Sequence, residues 1–168
     1  MKRFLRYALV LIAGIAIALV ALIWEGGTFE QIFSVPDVAE VDFGSLKRGP
    51  TPNQYLLCPE GMCSTETDGT APVFDVPADQ LQVAWDEMIA AEPRTQVLRR
   101  DLSNMEVDYV QRSRLFRFPD IITVRFIPMD DAHSTLAIYS RSVYGKGDMG
   151  VNHARIDGWL AKLKARVG

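Results

Sequence analysis

The sequence predicts an α+β domain, with an antiparallel sheet of about four to five strands and two helices on one face, preceded by an N-terminal transmembrane helix. Three observations predict this fold class. An uncharged apolar stretch begins the chain, two later segments carry apolar residues at helical spacing, and four extended stretches lie between those segments. Strands grouped together and flanked by helices are typical of α+β layers.

The apolar stretch from Tyr7 to Trp24 has 18 residues and no charge. At about 1.5 Å per residue it would be roughly 27 Å long as a helix, close to the hydrocarbon thickness of a bilayer. Basic residues precede it, so residues 1–6 are predicted to be cytoplasmic and the chain after Glu25 to lie outside, in the periplasm of a two-membrane bacterium. A cleaved signal peptide is the alternative, although the stretch exceeds the usual apolar core of about 7 to 15 residues.

The soluble part is acidic. After the apolar stretch the chain contains 15 basic and 21 acidic residues, a net charge of −6. It lacks the excess of lysine and arginine that neutralises phosphates, so the composition argues against nucleic acid as a partner. An anionic small molecule or lipid would need a local basic patch, and no cofactor is predicted.

Cys58 and Cys63 are the only cysteines, in the segment LLCPEGMCS. In an oxidising compartment, the proline and glycine between them favour a small-loop disulfide. A pair of free thiols is the alternative. A zinc site would need two further ligands, and the only histidines, His133 and His153, are far apart in sequence, so no metal is predicted.

Residues 25–52 are predicted to be a linker and residues 53–168 the soluble domain, because the chain up to Pro77 is rich in turn-forming residues. Helical spacing of apolar residues predicts helices from Ala78 to Ala91 and from Val151 to Arg166. β-branched and aromatic residues predict strands between them, at Gln96 to Arg100, Glu106 to Arg112, Ile121 to Ile127 and Thr135 to Ser142. The connections are too short for crossover helices, so only antiparallel pairs are predicted.

The segment Gly145-Lys146-Gly147-Asp148-Met149-Gly150 has the spacing G-x-G-x-x-G between the last strand and the last helix. The dinucleotide motif needs a second parallel strand and a later acidic residue, which this sequence does not predict. The glycines therefore favour a tight strand-to-helix turn, with Asn152 as N-cap. The helix start would attract an anion or an acidic side chain if Arg141 or Arg155 lies near.

Arginines are concentrated in the predicted sheet: Arg112, Arg114, Arg117, Arg125 and Arg141. One interpretation is a basic surface that grips a carboxylate or phosphate in bidentate fashion. The other is that these arginines pair with local acids such as Glu106, Asp108 and Asp120 on a solvated sheet face.

Catalytic residues are not assigned by the sequence. It has no G-x-S-x-G motif, and neither histidine carries a signature that would place it beside Ser140 or Ser142.

With the segments YVQRSRLFRFPDIITVRF and AIYSRSVYGKGDMGVNHARIDGWLAKL, the chain resembles the bacterial and plastid family known as domain of unknown function 1499. The resemblance covers roughly Asn53 to Leu163. Its most specific parts are Phe118-Pro119-Asp120, Ser140-Arg141-Ser142, and Gly145 to Arg155. It implies a shared α+β domain, often membrane-attached, and no particular activity, and it marks the final turn and the SRS strand as the place for a site.

The resulting hypothesis is a non-enzymatic envelope domain that binds a small anionic or lipid-like ligand, or a partner protein. Its alternatives are an uncharacterised hydrolase of the cell envelope and a purely structural envelope protein. The predicted binding surface consists of Arg112, Arg114, Arg141, Gly145, Gly147, Asp148, Gly150, Asn152 and Arg155.

Overall fold

The computed structural model describes the backbone of residues 2–25 and 28–168, and the side chains of residues 3, 6–21 and 30–168. The chain divides into two compact units, residues 1–34 and residues 35–168. The first unit contains helix α1 (Lys2–Glu25) and the short helix α2 (Thr28–Ile32).

Helix α1 includes the whole apolar stretch from Tyr7 to Trp24, so the predicted N-terminal helix is present. Within the described residues, no helix combines the length and the apolar character needed to cross a membrane. The predicted transmembrane anchor is therefore not confirmed.

The second unit contains one six-stranded sheet and two long helices. Its elements are β1 (Gln54–Cys58), β2 (Gly69–Thr70), α3 (Ala78–Ala90), β3 (Thr95–Asp101), β4 (Glu106–Arg112), β5 (Pro119–Pro128), β6 (Ser134–Ser142) and α4 (Val151–Val167). The α+β class, both helices and the four predicted strands are confirmed.

The sheet is mixed, with the strand order β2-β1-β6-β5-β4-β3. Strands β3 to β6 form an antiparallel meander, β1 adds antiparallel to β6, and β2 runs parallel to β1. The prediction of four to five strands in exclusively antiparallel pairs is therefore wrong. The parallel pair needs no crossover helix here because the connection over residues 59–68 is a turn-rich loop that leads to a strand of two residues.

Helices α3 and α4 cover one face of the sheet. Trp85 of α3 and Trp159 of α4 are buried and meet edge to face, with ring centroids 5.8 Å apart. Alternate strand residues such as Ile122 and Ile138 complete this core. Aromatic pairs in this geometry add packing energy beyond the area they bury.

The opposite face is covered by the chain that precedes β1. Val41 and Phe43 are buried against Leu56, Ala137 and Tyr139 in a second apolar cluster. These two residues lie in the stretch that the sequence predicted to be a linker. Cys58 belongs to the same cluster and is bonded to Cys63, with their Cα atoms 6.1 Å apart.

Candidate functional site

The residues of the predicted binding surface are distributed over both faces and one end of the sheet. Successive side chains of a strand point to opposite faces. Ser140 and Ser142 of β6 therefore point toward helix α4, whereas Arg141 points toward the face covered by the N-terminal segment of the unit. Arg141 and Arg155 consequently do not form one site.

On the helix face, Asn152 is fully buried and its amide connects three elements. Nδ2 donates to the Asn53 carbonyl at 3.1 Å, the Ser142 hydroxyl at 3.1 Å and the Asp148 carboxylate at 2.7 Å. Oδ1 accepts a hydrogen bond of 2.6 Å from the Ser140 hydroxyl. Because the amide is satisfied by protein groups, Asn152 acts as a structural clamp between β1, β6 and α4.

Arg155 belongs to the same network. Its guanidinium donates to Ser140 at 2.9 Å, to Asn152 at 2.6 Å and to Gln111 at 2.6 Å, and it forms an ion pair with Asp120. The Arg155 side chain is only 6% exposed. Its donors are thus directed at protein groups rather than at a ligand.

The turn before α4 is closed by the chain's own carboxylate. Asp148 accepts hydrogen bonds from the backbone N–H groups of Gly150 at 3.1 Å and Asn152 at 2.9 Å. Burial acts to raise the pKa of Asp148, but these donors outweigh it and the pKa is lowered. An acidic side chain therefore lies at the helix start, which is one of the two outcomes that the sequence predicted.

The helix begins after Gly150, which has a left-handed φ of 78°. The N-cap is Gly150, so the prediction of Asn152 as N-cap is wrong, and Asn152 lies inside the helix. Gly145 is also left-handed, with φ of 89°, whereas Gly147 shows no positive φ. Two of the three glycines thus supply backbone conformations that other residues adopt at a cost.

Arg112 and Arg114 lie at the hairpin between β4 and β5. Arg112 donates to the Arg117 carbonyl at 3.0 Å, and Arg114 is exposed in the loop of residues 113–118.

On the face opposite the helices, Glu106 and Asp108 are fully buried. Arg99 contacts both carboxylates, at 2.6 Å and 2.7 Å, and Arg125 contacts Glu106 at 2.7 Å. Thr123 donates to Asp108 at 2.6 Å. Burial opposes the charge of Arg99, but its two carboxylate partners prevail and its pKa is raised.

Arg141 is the exception on this face. Its guanidinium donates to the Thr123 hydroxyl at 3.2 Å and lies 4.9 Å from the centroid of the Tyr139 ring. Among the described residues, no carboxylate comes within ion-pair distance of it. Burial lowers the pKa of Arg141, although the charges of Asp108 and Glu106 act in the opposite direction. An arginine side chain nevertheless stays protonated in proteins.

The Arg141 side chain lines an open cleft of about 490 Å³ between the sheet and residues 39–54. Tyr139 and Gln54 contribute to the same cleft, and the hydroxyl of Tyr139 is hydrogen-bonded to Gln54 Oε1. The exposed charged side chains that line it are Glu40, Asp42 and Lys47. This volume falls within the range of small-molecule sites.

Sequence reasoning missed the residues 39–54 because it assigned most of them to a linker. The available signal was the alternation of Val41 and Phe43 with the acidic Asp42, which places two apolar side chains on one side of an extended chain. Both are buried in the structure.

The pieces considered for nucleophilic catalysis are not assembled. The Ser140 and Ser142 hydroxyls contact Asn152 rather than a histidine. His153 lies 3.0 Å from Asp157 and stacks on Tyr55, and His133 lies 2.8 Å from Asp130. In the described part of the chain, no three His, Cys, Asp or Glu side chains are grouped so that they could hold a metal.

Several solved structures resemble the fold at low identity. A solution NMR structure from Thermobifida fusca has 13% identity and a TM-score of 0.45, and covers 69% of this chain and 93% of its own. The ZhuI aromatase/cyclase from Streptomyces sp. R1128 has 13% identity and a TM-score of 0.33, with coverage of 58% and 81%. A START superfamily protein from Mycobacterium smegmatis has 10% identity and a TM-score of 0.35, with coverage of 58% and 94%. At these TM-scores the likeness supports no functional argument.

No curated protein matches the chain. A family model described as "Protein of unknown function (DUF1499)" matches residues 57–163. The match includes the disulfide, the meander, most of α4 and all of the Asn152 network except Asn53.

Proposed function

We propose that this chain, which belongs to the DUF1499 family of proteins of unknown function, is a non-enzymatic domain that binds a small anion in the cleft at Arg141. A carboxylate or phosphate group is the ligand chemistry that a guanidinium recognises best. The observation that carries the proposal is the state of Arg141, a half-buried cation that lines a cleft and contacts a hydroxyl and an aromatic ring.

Three other buried or half-buried arginines near the sheet differ from Arg141 in their partners. Arg155 is paired with Asp120, Arg99 with Asp108 and Glu106, and Arg125 with Glu106. Removing a cation from water is costly unless an anion or several hydrogen bonds compensate it. An external anion in the cleft would supply that compensation for Arg141.

The two buried carboxylates on the same face of the sheet do not compensate the charge of Arg141. Glu106 and Asp108 already bind Arg99 and Arg125 at hydrogen-bonding distances. Thr123 links the Asp108 carboxylate to the Arg141 guanidinium, since its hydroxyl donates to the former and accepts from the latter. These hydrogen bonds hold the Arg141 guanidinium in one orientation, so that it is pre-organised to bind an anion.

The cleft wall is held by hydrogen bonds within the protein. Gln54 Nε2 donates to the carbonyls of Gly49 at 2.8 Å and Thr51 at 2.6 Å, while Gln54 Oε1 accepts from Tyr139. At the opening, Lys47 is accompanied by Glu40 and Asp42. The two carboxylates at the opening would repel a second negative group. The cleft therefore favours a small ligand with one carboxylate or phosphate at Arg141 and a polar remainder toward solvent.

A thermal-shift series with the full chain tests the proposal, with inorganic phosphate and short mono- and dicarboxylates as probes. At ten times Kd, ligand binding stabilises a protein by about 1.4 kcal/mol, which raises the Tm of a domain of this size by about 5 °C. We expect Arg141→Gln to abolish this shift. Arg166→Gln is the matched control, because Arg166 is exposed and lies 3.6 Å from the exposed Glu87.

The ligand-free stability of Arg141→Gln separates a binding role from a structural one. An arginine without a carboxylate partner stabilises the fold little, so we expect the Tm of the unliganded variant to be unchanged or slightly higher. The proposal would be contradicted if the ligand-free Arg141→Gln variant had a much lower Tm than wild type, or if every probe shifted the Tm of both proteins equally. Arg141 would then have a structural role.

A further inference from the structure

A second surface lies at one end of the sheet, next to the Arg141 cleft: Asn53, which lines the cleft, donates to the Gly145 carbonyl at 3.0 Å. It consists of the hairpin loop of residues 113–118 and the loop of residues 143–150, and is called the loop end below. The two loops are neighbours because Asp120 pairs with Ser142 and the Val143 N–H donates to the Pro119 carbonyl at 3.1 Å.

The loop end exposes large apolar side chains at its tips. Leu115 is 56% exposed, Phe116 is 51% exposed and Met149 is fully exposed. Hairpin tips are normally occupied by Gly, Asn, Asp or Ser, which turn the chain without exposing apolar surface. About half of the Leu115 and Phe116 surface and all of the Met149 surface stay in water, and such groups mark contact surfaces when they cluster.

The hairpin loop is ordered rather than loosely extended. The Ser113 N–H donates to the Phe118 carbonyl at 2.9 Å, and the Phe118 N–H donates to the Ser113 hydroxyl at 2.9 Å. The Phe116 and Phe118 rings lie 5.7 Å apart. The apolar tip is therefore held in place by hydrogen bonds at its base.

The loop end is also locally cationic in an acidic unit. Residues 35–168 contain 15 basic and 19 acidic residues, a net charge of −4. The acids near the loop end are engaged, since Glu92 pairs with Lys162, Asp120 pairs with Arg155, and Asp148 binds the start of α4. The exposed cations at this end are Arg94, Arg114 and Lys146.

We propose that the loop end docks on an anionic lipid surface, with Leu115 and Phe116 in the headgroup boundary and Arg114 and Lys146 against lipid phosphates. Apolar side chains that enter the interface beside basic residues are the combination by which peripheral proteins bind such surfaces. A soluble polyanion would engage the cations alone and would leave Leu115 and Phe116 without a role. The proposal does not depend on ligand binding at Arg141.

The test places an environment-sensitive fluorophore on the full chain at Phe116→Cys, with the Cys58–Cys63 disulfide kept oxidised. Vesicles of phosphatidylcholine alone are compared with vesicles of phosphatidylcholine and phosphatidylglycerol. The matched control carries the label at Leu102→Cys, because Leu102 is 79% exposed in the β3–β4 turn at the opposite end of the sheet. The label reports its own position, so the signal is independent of how the rest of the chain meets the lipid.

We expect a blue-shifted, brighter emission at position 116 with the anionic vesicles and no change at position 102. Each basic residue near an anionic surface contributes an affinity factor of about five. Adding Arg114→Gln should therefore raise the lipid concentration of half-maximal signal about fivefold. Equal signals at positions 116 and 102, equal responses to both vesicle types, or the same response to soluble polyphosphate without lipid would overturn the proposal. So would a signal that rises with protein concentration alone.

Discussion

At the scale of single residues, Arg141 and Arg155 show how context sets the role of a buried cation. Arg155 has an ion-pair partner and three hydrogen-bond acceptors inside the protein. The Arg141 guanidinium contacts only the Thr123 hydroxyl and the Tyr139 ring in the described contacts. Removal of the Arg155 guanidinium should therefore destabilise the fold, whereas removal of the Arg141 guanidinium should not.

For Arg155→Ala we expect a loss of about 3 to 5 kcal/mol in the free energy of unfolding, because the change leaves the Asp120 carboxylate buried without its cation. Asp120 is 11% exposed at its side chain. Urea denaturation of wild type and variant measures the loss, and Arg155→Ala combined with Asp120→Asn should recover part of it. A loss below about 1 kcal/mol, the range of a surface pair, would show that this pair does not hold the network.

Asp148 gives the α4 start a defined pH dependence. Its folded pKa is lowered, so the carboxylate stabilises the fold above the ordinary aspartate pKa of about 3.9, and this contribution is lost as pH falls through the lower folded value. Asp148→Ala should cost about 1 kcal/mol near pH 7, the value of a helix-capping side chain. The difference between wild type and variant in urea unfolding should vanish at low pH. A difference that persists unchanged there would contradict this role.

At the scale of elements, the periodicity of apolar residues was sufficient to predict the long helices and strands. Helices α3 and α4 and strands β3 to β6 lie where spacing and β-branched content predicted them. Strand β1 was missed because its five residues follow a run of turn-forming residues, and β2 has only two residues. Short strands obtain their structure from neighbours, here β6, rather than from a local pattern.

The β1–β2 connection is the element closed by the disulfide. Cys58 is the last residue of β1, and Cys63 directly follows the turn of residues 60–62. For so short a loop the chain-entropy contribution is about 2 kcal/mol. We expect reduction to lower the free energy of unfolding by about that amount, while the meander stays folded. Thiol labelling of unfolded, unreduced protein should detect no free thiol, and two labelled cysteines would refute the pairing in the native protein.

At the scale of the whole molecule, sequence reasoning found the residues of interest but grouped them wrongly in space. Asn152 and Arg155 do meet, both directly and through Ser140, as the shared turn and helix suggested. Arg141 lies on the other face because strand side chains alternate, and its cleft is built from residues 39–54, which carry little periodic signal. A face can be assigned only when the register of the neighbouring strands is known.

The location of residues 35–168 outside the cytoplasm stays a prediction from the charges that precede the apolar stretch. A reporter that is active only outside the cytoplasm, fused after Gly168, should be active. Its cytoplasm-specific counterpart at the same position serves as the control. Activity of that counterpart alone would reverse the predicted orientation.

The central claim, anion binding at Arg141, is tested most directly by NMR of the arginine side-chain Nε–Hε groups during titration with inorganic phosphate. The Arg141 resonance is assigned as the one missing from the spectrum of Arg141→Gln. We expect this resonance to shift saturably while that of Arg155, whose Nε–H donates to Gln111, stays in place. An Arg141 resonance that does not move, or one that moves linearly together with those of exposed arginines, would contradict the claim.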